Sequence, residues 1–596
     1  MHVEGFDASQ AELENHEAVD APPVGASPTP AYYLNDFHSV IQGVEQLHGS
    51  LLNADEQAYL RKLKALSLPA QQLYARLVNR KGPYFRVTRL AYPEIGVPDQ
   101  PIAELVAHRL LEICVTLPPV PRQKRLLACF TLPELVAALK NHAAPKRACR
   151  AAFLDWLGAW EGFGAWGSRI LKEHLVVELP ESDPWPFMRF LFFGELRENL
   201  SDFVTRALGH IVTESFAPAN LHPCFSSRAQ ADDAYRMARY YQTFAEIRET
   251  RPAAELLEWW HGHGIGRHAL ADGRFWFDRL VDRLGKRLER ENEIDAALAL
   301  YATSPVAPAR ERQARLLIKT GRPAEAVTLL QTMQATPCHP EEAYTARHLL
   351  ARLEKRSRRS EAREFQLAGR TITLPYAPRN GAVETAGGQP DMNVEAAVLA
   401  YYRAQGWQGV HAENWLWNAS FGLLLWDIIY DPALGVFHSP LQFAPSDLYT
   451  PDFYNRRQHA IEARLISLQN PLQAYQIISR HCQAKHGLAN PFVAWHENLP
   501  DILSVMLERV PPDGHAAVLR HMARNFRHHS HGFLDLFIWN AQDYRFIEIK
   551  GENDHLAAHQ FEWLRFFAEA GIKVSLEKVQ RPTQISGAHV KETKSP

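Results

Sequence analysis

The sequence predicts a multidomain, mainly α-helical protein with one small α/β domain near its C-terminal end. The chain has 596 residues, several times the usual size of a single domain. Helical spacing of apolar residues dominates from about residue 226 to 370, whereas two adjacent alternating strands occur after residue 530. The strands therefore mark a sheet-containing domain, and the helices mark the modules that precede it.

The composition excludes several classes of protein. The chain is 46% hydrophobic and 22% charged, as is ordinary for globular proteins, and it contains no apolar run of membrane-spanning length and no signal-peptide pattern. The six cysteines are scattered without a C-x-x-C pair, so we expect reduced thiols in the cytoplasm, with neither a zinc ribbon nor a disulfide framework. Because the net charge is −2, any binding of nucleic acid must rely on local basic patches.

A tail and a basic module form the N-terminal part. Residues 1–30 are acidic and then rich in Pro, Ala and Ser, so we expect a disordered tail. In residues 31–120, Asn53 is the expected N-cap of one helix, and Gly82 and Pro83 separate a second helix from a short wing-like strand. Such a helical, winged module suits contact with the DNA backbone, although a solvated basic face explains the pattern equally well. Its basic residues are Arg76, Arg80, Lys81, Arg86 and Arg89.

Two short helices are predicted within residues 121–225. Thr131, or the residue before it, caps the first helix, which has Pro133 near its start, and the second helix follows Pro145. Two short helices with basic residues on the second are similar to a SAP-type DNA-binding motif. An aromatic-rich stretch at about 160–225 predicts buried core. The basic residues of the second helix are Lys146, Arg147 and Arg150.

Residues 226–372 are predicted to be almost wholly helical. The segments 293–301 and 323–331 share an alanine-leucine face, and paired helices with small residues at their contacts indicate tetratricopeptide-like repeats. Residues 373–392, rich in Pro, Gly and Asn, predict a linker. The α/β domain then covers 393–580, and a flexible tail covers 581–596.

The sheet of this domain should contain a β-hairpin at residues 532–551. Its two apolar strands flank the polar turn 540–543. A turn centred between Ala541 and Gln542 places Trp539 opposite Tyr544, and the same count places position 535 opposite position 548. The register of the hairpin therefore decides which charged side chains meet.

Three charged side chains converge in that register. Asp535 faces Glu548, Lys550 shares the face of Glu548, and Ile549 points into a core. Burying charge is costly unless it is paired or binds a metal, and a hard divalent cation relieves the repulsion between two carboxylates. An acid followed by acid-x-lysine is the pattern of the PD-(D/E)xK nucleases, where the carboxylates hold Mg²⁺ or Mn²⁺ and the lysine positions the attacking water. An edge hairpin with solvated charges is the alternative.

The residues after the hairpin, together with blocks elsewhere, resemble one nuclease family. A helix pattern with Leu556, Gln560 and Leu564 on one side follows, with Asn553 or Asp554 as the expected N-cap, and a glutamine there is typical of the VRR-NUC branch. In their order along the chain, the blocks resemble the Fanconi-associated nucleases, VRR-NUC enzymes that cut branched DNA. These blocks read YYLNDFHSVI, LYARLVNRKGPYFRVTRLAY, HAENWLWNASFGLLLWDIIYD, LYTPDFYNRRQHAIEARL and FIEIKGENDHLAAHQFEWL.

The resemblance implies the fold and the site of the α/β domain. We expect a PD-(D/E)xK (VRR-NUC) domain in which Asn393 caps the first helix and a long apolar helix runs from about 414 to 430. Leu534 stands where the family usually has a proline, which supplies no ligand. The implied metal ligands are Glu413, Asp535, Glu548 and the backbone carbonyl of Ile549, with Glu395 as the rival of Glu413. The implied catalytic residues are Asp535, Glu548, Lys550 and, as an orienting residue, Gln560.

Other polar residues of this domain are expected to act elsewhere. Arg527 matches a family position and could hold a phosphate near the scissile bond. Three aspartates are expected to cap helices or to pair with Arg456 and Arg457, and are left out of the metal site. These aspartates are Asp427, Asp447 and Asp452.

The resemblance also implies an activity. The expected enzyme is a metal-dependent hydrolase of phosphodiesterase I type that uses one or two Mg²⁺ or Mn²⁺ ions. It cuts 5′ flaps and branched DNA, acts as a 5′-to-3′ exonuclease, leaves a 5′-phosphate and a 3′-hydroxyl, and serves interstrand crosslink repair. Because the N-terminal region holds nothing like the eukaryotic ubiquitin-binding zinc finger, we expect a bacterial-type cytoplasmic enzyme acting at the nucleoid, as a monomer or a dimer. The alternatives are a junction-resolving VRR-NUC endonuclease and a non-catalytic DNA-binding scaffold.

Overall fold

The computed structural model contains two compact units. It describes residues 32–80, 82–139, 150–196, 212–266, 274–338, 340–353, 369–376, 393–552 and 554–582. The first unit comprises the described residues up to 243 together with 274–276 and 437–442, and the second comprises 244–266, 277–436 and 443–582. No helix in these ranges is long and apolar enough to cross a membrane.

The first unit begins with helices around a shared apolar core. Asn53 caps α2 as predicted, because its side chain accepts the Glu56 N–H while the Glu56 carboxylate accepts the Asn53 N–H. The aromatic run in α9 is buried as predicted, with Phe37 of α1 packed on Trp185 at 4.6 Å between ring centroids. These helices are α1 (Tyr32–His48), α2 (Ala54–Ala65), α3 (Leu68–Val78), α4 (Asp99–Ala107) and α9 (Trp185–Phe193).

A small antiparallel sheet forms the wing of this unit. Its strands are β1 (Tyr84–Arg86), β2 (Glu112–Ile113) and β3 (Val176–Glu178), with β3 in the centre. Because β3 follows the SAP-like helices in the chain, that module is an insertion between two strands of one sheet. The predicted regions 31–120 and 121–225 therefore share this sheet, which local sequence patterns did not indicate.

The SAP-like helices enclose a core of their own. Thr131 and Glu134 form the predicted capping box of the first helix, and the Glu134 carboxylate accepts the Thr131 N–H at 2.7 Å. The predicted start of the second helix, with Lys146 and Arg147, lies outside the described residues. The helices are α5 (Val120–Leu127), α6 (Leu132–Ala138), α7 (Arg150–Ala159) and α8 (Phe163–Glu173).

Helices continue from the first unit into the second. Those of the predicted repeats pack consecutively, and small residues such as Ala297 and Ala326 are fully buried at their contacts, as the alanine-leucine faces predicted. The helices are α10 (Arg228–Ile247), α11 (Ala253–Gly262), α12 (Arg274–Arg290), α13 (Ile294–Tyr301), α14 (Ala309–Lys319), α15 (Pro323–Ala335) and α16 (Pro340–Leu353).

A five-stranded mixed sheet forms the C-terminal domain, in the order β4-β8-β7-β6-β5. The edge strand β4 pairs in parallel with β8, although residues 226–372 were predicted to be helical. Burial of Ile372 stabilises this strand, and no local sequence pattern predicts it. The strands are β4 (Gly369–Thr373), β5 (Gln408–His411), β6 (Leu536–Trp539), β7 (Tyr544–Lys550) and β8 (Val574–Gln580).

Helices cover both faces of this sheet. Asn393 caps the first helix as predicted, since its side chain accepts the Ala396 N–H at 2.8 Å. The long helix predicted from 414 to 430 is two helices, because the backbone leaves helical geometry at Leu425. The helices are α17 (Val394–Arg403), α18 (Leu416–Leu424), α19 (Trp426–Ile429), α20 (Asp452–Leu465), α21 (Pro471–Lys485), α22 (Leu499–Arg509), α23 (Pro512–Arg524), α24 (Phe526–His529) and α25 (Ala558–Glu569).

Candidate active site

The hairpin at the centre of the sheet has the predicted register. Trp539 pairs with Tyr544 and Leu536 with Ile547, so the residue before β6 stands opposite Glu548. The Asn540 side chain accepts the N–H groups of two turn residues, which closes the four-residue turn. The sequence prediction of the hairpin is therefore confirmed.

The two faces of the hairpin differ in chemistry. Residues such as Ile547 and Ile549 pack against Tyr402 of α17 in one apolar cluster. On the other face, Phe537 stacks on Phe546 at 4.7 Å between ring centroids. The carboxylates lie at the end of this aromatic face, where burial removes them from water.

Backbone and side-chain hydrogen bonds hold Asp535 in place. Its Oδ2 accepts the Ile549 N–H at 2.7 Å, and its backbone carbonyl accepts the Ala412 N–H at 2.7 Å. The second bond extends the β5–β6 pairing by one residue, which sets Glu413 just beyond the end of β5. Residues far apart in the sequence are thereby joined at one sheet position.

Glu548 and Lys550 form a buried ion pair on the same face of β7. The Lys550 Nζ lies 2.8 Å from Glu548 Oε1, and the glutamate side chain is 1% exposed. Glu548 Oε2 is buried without a hydrogen-bond partner among the described residues. One lysine therefore neutralises part of the carboxylate charge, and one oxygen lacks any compensating contact.

Electrostatics at the site favour a cation. Burial raises the pKa of Asp535 to about 7, with further upward contributions from the nearby Glu413 and Glu395. Burial and the neighbouring Asp535 raise the pKa of Glu548 to about 8, against the opposing effect of Lys550. Ionising both carboxylates thus costs free energy that a bound divalent cation would offset.

Glu413 and Glu395 reach this site from different elements. The Glu413 side chain is 42% exposed, and its Oε1 accepts a hydrogen bond from Asn414 Nδ2 at 3.1 Å. Glu395 lies in the first turn of α17, and its charge acts on Asp535. The sequence prediction treated Glu395 only as a rival of Glu413, whereas the charges of both act on the same aspartate.

Asn414 is a residue of the site that the sequence did not reveal. Its φ is +60°, a left-handed conformation that asparagine adopts more readily than most residues, and its Oδ1 accepts the Gly532 N–H at 2.8 Å. Asn418 also donates to the Ser530 carbonyl at 2.8 Å. These two amides fasten the segment leading into Asp535 to the segment that carries Glu413. The available signal was an asparagine directly after the glutamate.

The donor set fits a hard divalent cation better than a softer one. Asp535 and Glu548 offer carboxylate oxygens, and Mg²⁺ and Mn²⁺ prefer oxygen ligands. Glu548 Oε2, which is buried without a hydrogen-bond partner among the described residues, would be available as a ligand atom. In the described part of the chain, no three His, Cys, Asp or Glu side chains stand close enough together to form a finished metal cluster. Closure of the exposed Glu413 side chain toward the buried pair would complete the set.

Gln560 lies in the first turn of α25. Its Oε1 accepts the Ala557 N–H at 3.1 Å, which caps the helix. The helix begins at Ala558, so the predicted N-cap at Asn553 or Asp554 is wrong; Asp554 instead accepts the Gly551 N–H in the preceding turn, and Asn553 lies outside the described residues. A capping side chain, rather than the residue just after the strand, decides where this helix starts.

Two of the three aspartates left out of the metal site form ion pairs, and Asp452 lies in the first turn of α20. Asp447 pairs with Arg457 at 2.8 Å in a buried contact, as predicted. Asp427 pairs with Arg464 at 2.6 Å, a partner that the sequence prediction did not name. Both carboxylates thus have arginine partners.

Several predicted DNA-contacting arginines already have partners within the protein. Arg86 is buried and pairs with Glu134 at 2.8 Å, while Arg76 pairs with Glu94 at 2.6 Å. Arg80 donates to the Tyr92 hydroxyl, and Arg150 donates to backbone carbonyls. Lys81, Lys146 and Arg147 lie outside the described residues, and Arg527 is exposed on α24. Contact of this set with DNA stays a prediction.

Comparisons with known proteins agree with this fold. A family model described as the FAN1 HTH domain matches residues 31–112, and one described as the VRR-NUC domain matches residues 469–581. A Fanconi-associated nuclease 1 homolog of Pseudomonas aeruginosa is 29% identical over 94% of this chain and 98% of its own length. The homolog of Arabidopsis thaliana is 27% identical over 94% of this chain and 68% of its own. Human Fanconi-associated nuclease 1 is 24% identical over 91% of this chain and 62% of its own.

Solved structures give the same result. The crystal structure of paFAN1 bound to a 2-nucleotide 5′ flap DNA with a gap aligns with a TM-score of 0.80 at 28% identity, covering 94% of this chain and all of the other. The fold and the site define a nuclease with a VRR-NUC domain. The chain is thus similar to Fanconi-associated nucleases over almost its whole length.

Proposed function

We propose that this protein is a divalent-cation-dependent DNA nuclease that hydrolyses phosphodiester bonds at 5′ flaps and in branched DNA. It also acts as a 5′-to-3′ exonuclease and serves interstrand crosslink repair. Support comes from the solved paFAN1 structures, whose bound DNA carries 5′ flaps of one and two nucleotides. Those chains are 27–28% identical to this one over their whole length.

One observation carries the proposal, namely that Asp535, Glu548 and Lys550 share one buried face of the β6–β7 hairpin. Two buried carboxylates do not stabilise a hairpin. Burying each of them costs free energy, and two negative charges cannot compensate each other. Lys550, which pairs with Glu548 at 2.8 Å, offsets only part of this cost, because the pKa of both carboxylates stays raised. A metal-binding role in hydrolysis would explain why Asp535, Glu548 and Lys550 are buried together.

Asp535, Glu548, Glu413 and the carbonyl of Ile549 would hold one or two Mg²⁺ or Mn²⁺ ions. When bound, the cation would supply Lewis-acid stabilisation of the phosphate charge and a water of lowered pKa. Lys550, held by Glu548, orients the attacking water and counters the negative charge that develops on the phosphate. Gln560 orients the helix next to the site through its cap. Hydrolysis of this class leaves a 5′-phosphate and a 3′-hydroxyl.

The basic residues of the first unit would select the substrate by shape. Contacts with phosphates position a duplex without reading its sequence, so cleavage should depend on the flap or branch and not on base identity. Arg527, exposed just before the hairpin, would hold a phosphate near the cut. The predicted set in the first unit comprises Arg76, Arg80, Lys81, Arg86, Lys146, Arg147 and Arg150.

The test compares labelled 5′-flap, four-way-junction and linear duplex DNA in the presence of Mn²⁺. We expect the 5′ flap to be cut fastest, and Asp535→Ala to abolish cutting because it removes the carboxylate shared by the site. Asp543→Asn is the matched control: this aspartate lies at the turn of the same hairpin and binds Lys573, so cleavage should persist.

Other results would overturn the proposal. Cleavage of the junction alone would favour a junction-resolving enzyme, and no cleavage of any substrate would favour a DNA-binding scaffold. Unchanged cleavage by Asp535→Ala would contradict the assignment of the site.

A further inference from the structure

The first unit contains a large cavity away from the carboxylate site. Its volume is about 1050 Å³, and its lining comes from the end of α3, the β1 segment, α5, the start of α9 and α10. The SAP-like helix α5 and the wing strand β1 thus form walls of one space. Arg80 and Arg86 of its lining belong to the predicted DNA-contacting set, but the catalytic chemistry assigns the cavity no role.

The walls of this cavity are strongly basic. Seven arginines line it, against two carboxylates, Glu181 and Asp183. Arg122 pairs with Glu181 at 2.9 Å, and two further arginines share Glu134. The seven arginines are Arg80, Arg86, Arg89, Arg122, Arg125, Arg189 and Arg239.

Three of these arginines lack a carboxylate partner among the described residues. Arg80 donates to the Tyr92 hydroxyl and Arg239 to the Tyr235 side chain, so each has a neutral partner and, within those residues, no carboxylate. Arg189 is the deepest case, because its Nε and Nη1 are buried without any hydrogen-bond acceptor in the described part of the chain. These three residues come from three different elements, and their charges add within one cavity.

The nearby Asp183 does not resolve this imbalance. Both of its carboxylate oxygens accept the Tyr74 hydroxyl at 2.9 Å, and Oδ1 also accepts the Trp185 N–H at 2.9 Å. Its lone pairs are therefore used within the protein core, although its charge still acts on Arg189. Buried donors left without acceptors cost free energy, which an anionic ligand would recover.

Size and lining restrict the ligand. A cavity of about 1050 Å³ encloses a molecule of roughly drug size, so a DNA duplex cannot enter it. The aromatic residues of the lining, such as Phe85 and Trp185, are almost fully buried and offer no free ring on which a base could stack. Guanidinium groups that bind phosphates, without aromatic stacking, point to recognition of a nucleic-acid backbone with no preference for sequence.

We propose that this arginine-lined cavity binds the phosphodiester backbone of a short unpaired DNA strand. This inference rests on the proposed nuclease function and adds to it a second contact for single-stranded DNA, separate from the carboxylates. The protein would thereby recognise the unpaired strand of its substrate as well as the duplex. Binding would come from at least two phosphates, because the uncompensated arginines occupy three separate elements.

The test uses full-length protein carrying Asp535→Asn, which prevents cleavage, and a fluorescent oligothymidine of about six nucleotides, within the site sizes typical of single-strand binders. Arg239→Gln is the main variant because Arg239 is exposed at the rim of the cavity. Arg236→Gln is its matched control: this arginine is exposed on the same helix, pairs with Asp233 and does not line the cavity. Arg189→Gln tests the floor, with its folding checked by thermal melting.

We expect Arg239→Gln and Arg189→Gln each to weaken binding of the oligothymidine about tenfold, the scale of one charge-assisted hydrogen bond. The slope of log affinity against log salt should fall by roughly 0.7 for each lost phosphate contact. Arg236→Gln should change neither quantity, and binding of a blunt duplex should stay the same in all variants.

Three results would overturn the inference. Equal weakening by Arg236→Gln and Arg239→Gln would mean a general charge effect. Competition by free thymidine monophosphate as strong as by the oligothymidine would mean a nucleotide site instead. If the wild-type protein cuts 5′ flaps but neither cavity variant alters binding of the single strand, this inference fails while the proposed function stands. If the cavity arginines are needed for binding of the single strand but the wild-type protein cuts no DNA, the proposed function fails while the binding site stands.

Discussion

At the scale of single residues, the carboxylates of Asp535 and Glu548 explain most about the site. Both are buried, and burial raises the pKa of each well above the ordinary value of an acid, while the neighbouring Asp535 adds to the shift of Glu548. The ammonium of Lys550 pairs directly with Glu548 and also lowers the pKa of Asp535, but its effect does not outweigh that of burial. A site built in this way trades folding stability for the capacity to bind a cation.

This trade predicts an unusual dependence of stability on pH. The folded, metal-free chain holds protons on Asp535 and Glu548 up to about pH 7 and 8, whereas the unfolded chain releases them near pH 4. Between these values the folded state binds more protons at these two groups, so their contribution to stability is largest at low pH and is lost as pH rises through the folded pKa values. Bound metal requires both groups to be ionised and offsets this loss.

We therefore expect Mn²⁺ to raise the melting temperature more at pH 8 than at pH 6. A ligand at about a hundred times its dissociation constant adds about 2.7 kcal/mol, which corresponds to several degrees. Differential scanning fluorimetry with and without Mn²⁺ measures the shift. Glu548→Gln should abolish it, and a shift that is equal at the two pH values would contradict the pKa changes.

At the scale of elements, the hairpin was predictable and its surroundings were not. Side chains alternate between the two faces along both strands, and the position of the turn leaves only one register for β6 and β7. Counting from the turn therefore predicts that Asp535 lies opposite Glu548. Strand β4 and the position of β3 depend on partners far away in the chain, which no local pattern encodes. The start of α25 depends on the Gln560 side chain, which accepts the Ala557 N–H. The sequence pattern favoured Asn553 or Asp554 instead, because these residue types are common N-caps.

Glu413 and Asn414 illustrate the same limit within the site. The resemblance to the family supplied Glu413, but the reason for its position is the hydrogen bond from Ala412 to Asp535, which only the folded sheet reveals. Asn414 then closes the connection through Gly532. Both the left-handed backbone of Asn414 and the acceptance of the Gly532 N–H depend on the folded chain, so a sequence pattern predicts neither.

Substituting Asn414 should separate these two contributions. Asn414→Gly keeps the backbone conformation and loses two side-chain hydrogen bonds, to Gly532 and Glu413, at a cost of about 2 kcal/mol, whereas Asn414→Ala also strains the backbone and costs about 1 kcal/mol more. Both should raise the Mn²⁺ concentration needed for cleavage, because Glu413 loses its support. Urea unfolding and the metal dependence of cleavage measure the two effects.

Asn292 provides the control for that experiment. Its φ is +64°, so Asn292→Ala introduces similar backbone strain, but it lies between α12 and α13 in the helical repeats. We expect a loss of stability without any change in the Mn²⁺ dependence. If Asn292→Ala alters the metal dependence as much as Asn414→Ala does, general destabilisation would explain both.

At the scale of the whole molecule, the repeat helices and the nuclease domain belong to one compact unit. The sequence predicted them as separate modules divided by a linker. A contact between α16 and α25 joins them: Glu562 accepts hydrogen bonds from Arg347 at 2.7 Å and from Arg565 at 2.6 Å, with its side chain 10% exposed. One carboxylate thus connects the repeats to the helix that follows the catalytic strands.

We expect Glu562→Gln to destabilise both parts of this unit together. The change leaves two arginines without their shared acid, and because each arginine is about one-third exposed the cost should be about 1–2 kcal/mol, below that of a fully buried pair. Hydrogen exchange should therefore quicken in peptides from α16 and from β7 alike, since cooperative units open as wholes. Glu569→Gln is the matched control, because this glutamate lies on the same helix, is 60% exposed and pairs only loosely with Arg565 at 3.8 Å. Faster exchange confined to α16 would mean that the repeats and the nuclease domain unfold independently, as the sequence alone had indicated.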